Sequence, residues 1–72
     1  MFLSDKLIEI GRKSNPKNNV SMNEALHLMN SECKMALKSG DIYERIKTAF
    51  VFAVKTLNKE GFSYFKPEQF NL

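Results

Sequence analysis

Two stretches of helical apolar periodicity with four residues between them constrain this chain more than anything else in its sequence. In the first, Met22, Ala25, Leu26, Met29, Cys33, Ala36 and Leu37 fall within an arc about 120° wide, at about 100° per residue. In the second, Ile42, Tyr43, Ile46, Ala49, Phe50, Ala53, Val54 and Leu57 fill one broad face. Only Lys38-Ser39-Gly40-Asp41 separates them. A connection that short makes antiparallel neighbours, so the expected unit is an αα-hairpin and the expected class all-α.

The boundaries carry their own signals. Ser21 and Glu24 have the spacing of a capping box ahead of the first stretch, with Val20 and Ala25 able to form a small hydrophobic staple. Asp41 and Glu44 repeat the pattern ahead of the second, with Asp as N-cap. The helix that follows is expected to run to Lys59 or Glu60 and stop at Gly61. The run AFVFAV, 49–54, has the look of a buried strand when taken alone. Its flanks keep the helical period and hold no turn residues, so it reads as helix.

A short helix precedes the hairpin. Ser4 is placed to cap it, Asp5 suits its first turn, and Leu3, Leu7, Ile8 and Ile10 give it an apolar side. Gly11 offers a left-handed stop. Two turns cannot stand alone in water, so this helix is expected to dock through Leu7 and Ile10. Residues 11–20 read as a polar surface connector with a turn at Asn15-Pro16. The C-terminal stretch holds four of the eight aromatics, Phe62, Tyr64, Phe65 and Phe70. Pro67 fits the first position of a single helical turn. A tail so aromatic folds back over the hairpin or docks on another chain.

Composition bounds the rest. Seventy-two residues make a single domain, 1–72, whose core supplies about 3–5 kcal/mol. One cysteine excludes an internal disulfide, and with one histidine it leaves too few ligands for a structural zinc site. Apolar residues at 43% are too many for a disordered chain. The longest unbroken apolar run is 49–54, far short of a membrane span. The amino end, with Asp5 and Glu9, does not read as a secretory signal, and the unpaired cysteine favours a reducing, cytoplasmic setting.

Chemistry is hard to find. Glu24, His27 and Ser31 share a helix side and have the residue types of a nucleophilic triad. They lack a buried orienting acid and an oxyanion pocket, both of which need several elements. Cys33 lies about 120° around the helix from His27, which rules out a Cys–His pair within it. A buried thiol is the ordinary role of such a cysteine. No glycine-rich phosphate loop and no paired carboxylates are present. The expectation is therefore no enzyme, no catalytic residue, no metal and no cofactor.

One surface stands out. From Arg45 to Lys59 the third helix carries Arg45, Lys47, Lys55 and Lys59 and no acid. Arg45, Thr48, Phe52, Lys55 and Lys59 lie within an arc about 80° wide, to one side of the core stripe. Either Phe52 is covered by the first helix or the tail, with lysine stems over it, or it anchors a binding stripe among cations. Leu28 and Met35 form a second ridge on the second helix, to be buried or exposed on the same grounds.

Two functions from different classes fit these features. The first is a small non-enzymatic interaction module — an adaptor, inhibitor or regulatory accessory protein — that binds a protein partner with an acidic surface. Its contacts would be Arg45, Thr48, Phe52, Lys55, Lys59 and the aromatics Tyr64 and Phe65. The lysine- and asparagine-rich composition has the general look of phage or mobile-element accessory proteins, which identifies no family. The second is a non-specific nucleic-acid-binding accessory protein using the same stripe and a basic arm, Arg12, Lys13 and Lys17, at a net charge of +3. The third helix is the most apolar of the three, unlike a recognition helix that offers polar side chains to base edges. The small core and surplus aromatics leave monomer and homodimer evenly balanced.

Overall fold

The computed structural model describes the backbone of residues 2–14 and 19–72 and the side chains of 2–14 and 22–72. Among these the chain forms three α-helices, α1 (Leu3–Arg12), α2 (Asn19–Lys38) and α3 (Tyr43–Lys59), followed by one 3-10 turn, Pro67–Gln69. The all-α class, the short first helix and the α2–α3 hairpin are as the periodicity requires. The Asn15-Pro16 turn, Lys17 and the Val20 and Ser21 side chains lie outside the described residues. α2 begins at Asn19, two residues ahead of the expected capping position.

Both hairpin helices end in Schellman motifs. Gly40 takes φ 96° while its N–H donates to Leu37 O (3.1 Å), and Asp41 N–H donates to Ala36 O (3.1 Å). Gly61 takes φ 103°, its N–H donates to Asn58 O (3.2 Å), and Phe62 N–H donates to Leu57 O (2.9 Å). Both positions need the left-handed backbone that glycine adopts without strain. The motif also corrects the start of α3. Because Asp41 still closes α2, one extended residue must follow, and the N-cap is Ile42 (φ −87°, ψ 132°). Among the described residues the Asp41 carboxylate accepts only from the adjacent Ile42 N–H (2.8 Å), and no side-chain cap bond forms there.

α1 departs from expectation at both ends. Its N-cap is Phe2, so Ser4 lies within the helix, and it continues through Gly11 to Arg12. Gly11 is buried against Leu57 and serves close approach between α1 and α3. It is not a stop.

The core joins Leu7, Ile8, Ala25, Met29, Cys33, Ile46, Phe50, Ala53, Val54, Leu57 and Phe65. Of the stripe expected on α2, Met22 and Leu26 are only half-buried and Leu37 is 41% exposed. Their place is taken by α1, which packs on α2 and on α3 more extensively than those two pack on each other. Leu7 and Ile8 make the docking contact, while Ile10 stays at the margin. So α1 is a wedge in the hairpin, and the core is shared among three helices.

The tail folds back. Phe65 is 1% exposed, and the Phe70 ring lies 5.3 Å from that of Phe50 and 5.6 Å from that of Tyr43, tilted to both. Gln69 Oε1 accepts from Lys66 N–H (2.8 Å), which closes the 3-10 turn that Pro67 opens. Asn30, placed by periodicity on the wet side of α2, holds the tail. Its Nδ2 donates to Gln69 O (3.1 Å) and its Oδ1 accepts from Asn71 N–H (2.8 Å).

Candidate functional site

Arg45, Thr48, Phe52, Lys55 and Lys59 all stand exposed along the outer side of α3. The helix puts Ile46, Phe50, Ala53, Val54 and Leu57 into the core. At about 100° per residue the stripe then falls nearly opposite that face. Phe52 is 56% exposed, so neither α1 nor the tail covers it. Among the described residues none of Arg45, Lys55 and Lys59 has an ion-pair partner. Thr48 Oγ1 donates to Glu44 O (2.8 Å), as threonine does within helices. Glu44, Arg45, Thr48 and Ala49 line a shallow depression at the start of the stripe.

The other candidates lie elsewhere. Phe65 belongs to the core, and Tyr64 is half-buried with its ring 4.7 Å from Phe65. Tyr64 OH also bonds Ser14 Oγ. Ser14 Oγ gives its only proton to Gly11 O (2.7 Å), so Tyr64 must be the donor between the two hydroxyls. The tail aromatics thus pack inward and leave the exposed stripe to Phe52. Tyr43 is the aromatic that sequence reasoning assigned to the core and that instead stands 41% exposed beside Phe70.

The basic arm is placed differently as well. Arg12 is a helical residue clamped to Glu60, Nε to Oε1 at 2.8 Å and Nη2 to Oε2 at 2.6 Å. That bidentate geometry joins the ends of α1 and α3. Lys13 follows the helix as its C-cap and lies 3.7 Å from Glu9.

Glu24, His27 and Ser31 do not come together at one site among the described residues. His27 and Ser31 line a polar depression beside the tail, whereas Glu24 lines a different one beside α1. No hydrogen bond joins them among the described residues. Cys33 is fully buried, and burial, with a smaller contribution from the charge of Glu32, pushes its thiol up to about 11. No cluster of three or more His, Cys, Asp or Glu residues suited to a metal occurs among the described residues. No helix among them is long and apolar enough to cross a membrane. Comparison with family models, curated proteins and solved structures returned no match.

Proposed function

We propose that this chain is a non-enzymatic interaction module that binds an acidic protein surface through the outer face of α3. The observation that carries the reading is Phe52, 56% exposed between cations that have no partner within the described chain. Arg45, Lys55 and Lys59 would steer the encounter, and the ring would enter an apolar pocket and supply the holding energy. Adaptor, inhibitor and regulatory subunit are all roles open to such a face. The nucleic-acid reading draws less support, because Arg12 is committed to Glu60, Phe65 is buried and Tyr64 is half-buried against it, which leaves little aromatic surface for base stacking.

The test is co-purification from host extract, with and without nuclease treatment, using three baits: the parent chain, Phe52→Ser, and Arg45→Glu/Lys55→Glu. The exposed positions leave folding within about 0.5 kcal/mol of the parent, which a thermal melt checks first. The parent is expected to retain a partner that both variants lose, the charge variant through slower association. A folded Phe52→Ser chain that holds the same partner at full strength refutes the reading. Capture abolished by nuclease transfers the face to nucleic acid.

A further inference from the structure

A second surface lies on the other side of the molecule. α1 and α2 run antiparallel, and the groove between them is built in rungs. Leu3 and Met35 line a depression at one end. Lys6 Nζ stands 3.5 Å from Glu32 Oε2 in the middle. Ile10 and Leu28 line a second depression, with Lys13 and Glu24 at its rim. Leu28 is 49% and Met35 58% exposed, and Leu3 and Ile10 are only half-buried. Phe2 and Ile42, more exposed still, are chain neighbours of Leu3 and Asp41 at the Met35 end.

We infer that this groove is the interface for a second copy of the chain, related by a two-fold axis running along the groove. The order of the rungs carries the argument. Such an axis lays α1 of one copy on α2 of the other, so every rung meets its own complement: Leu3 meets Met35, Lys6 meets Glu32, Ile10 meets Leu28, and Lys13 meets Glu24. Apolar groups then cover apolar groups, and both charged rungs face opposite charge. A two-fold axis across the groove would instead bring the Lys6 side chains together. The four helices stand as an up-down bundle in which every neighbour is antiparallel, a packing that apolar helix ridges favour. The α3 face cannot serve this purpose, since Arg45, Lys55 and Lys59 would repel their own copies. It is left outward and free.

The overlap of the two helices is only about 15 Å long, because α1 has ten residues. That is the small end of protein interfaces, so the dimer belongs in the micromolar range. Sedimentation from about 1 µM to about 500 µM spans that range. The parent is expected to pass from monomer to dimer across it. Leu28→Glu/Met35→Glu should stay monomeric with an unchanged far-UV spectrum, and Phe52→Ser should dimerise like the parent.

The decisive step uses Lys6→Glu and Glu32→Lys. Each alone sets like charges across the interface and should weaken self-association at least tenfold. Mixed in equal amounts they should form a heterodimer. One chain then carries acids at both positions of this rung and the other carries lysines at both, so each cross-chain contact again joins opposite charges. Intramolecular pairing cannot produce that recovery. A parent that is monomeric throughout, single variants that dimerise like the parent, monomeric singles that do not combine, or a dimer lost in Phe52→Ser would each overturn the assignment.

Discussion

Gly11 lies against Leu57 so closely that a side chain has no room between α1 and α3. A Cβ built on Gly11 would stand 2.9 Å from Leu57 Cδ2 and nearer still to Cδ1. Leu57 is fully buried, so its methyl groups can move only by repacking the core around them. Two effects of Gly11→Ala therefore compete. Alanine favours the helix by about 1 kcal/mol, and overpacking a filled core costs about 1–3 kcal/mol. The clash is expected to win, with a net loss of up to about 2 kcal/mol in urea unfolding. Leu57→Val in the same chain should relieve part of that loss. A stabilised Gly11→Ala variant would mean that the helices separate more easily than this contact implies.

What the sequence conceals here is informative. Gly40, Gly61 and Gly11 all follow apolar helical stretches, and spacing alone treats them alike. Only the first two have positive φ. The third is set by a leucine far along the chain, which no local pattern reports. The same limit applies to Arg12, whose partner Glu60 is 48 residues away. Periodicity did separate Phe50 from Phe52, because both sit on one regular helix whose buried side is known. It had no purchase on Phe65, which lies in irregular backbone where burial depends on how the tail returns. Leu28 and Met35 were legible as a ridge, but its exposure depends on where α1 inserts.

Acid should weaken the Arg12–Glu60 clamp. Hydrogen bonds from the guanidinium hold the Glu60 carboxyl below the usual carboxylate range. A group whose folded pKa is lowered adds stability above its unfolded value, near 4.3, and that contribution disappears as pH falls through the folded value. Glu60→Gln is expected to melt below the parent at pH 7. The two curves should converge at the acid pH where the parent carboxylate becomes protonated. A constant gap between them down to that pH would show that Glu60 acts through packing and not through its charge.

Cys33 should be chemically silent in the folded chain. Its side chain is fully buried, and the thiol is pushed up to about 11, chiefly by burial and then by the neighbouring charge of Glu32. Thiolate is the reactive form, so at pH 8 both access and ionisation are withheld. A water-soluble disulfide reagent is expected to label it within seconds in denaturant and only at the rate of opening in native buffer. Rapid stoichiometric labelling of the native chain would place the thiol at the surface and remove Cys33 from the core.

Beyond the buried Phe65 the tail is held both by the Asn30 amide and by the Phe70 ring, and these contacts should fail differently. Asn30 uses both ends of its amide: the nitrogen donates to Gln69 O and to Leu26 O, and the oxygen accepts from Asn71 N–H. Phe70 covers the buried Phe50 ring. Asn30→Ala removes directional bonds in a half-exposed setting, so the loss should be about 1 kcal/mol. Its main sign should be faster hydrogen exchange at the Asn71 amide. Phe70→Ala uncovers apolar surface on Phe50 and should cost more, toward the lower end of the about 3–5 kcal/mol typical of a buried phenylalanine. Asn30→Asp separates the bonds from the space the side chain fills. It keeps the acceptor for Asn71 N–H but turns a carboxylate oxygen toward Gln69 O, where the amide nitrogen had donated. It should therefore be less stable than Asn30→Ala at pH 7 and recover as the carboxyl is protonated. If Asn30→Asp matched the parent at pH 7, the bond to Gln69 O would have no part in holding the tail.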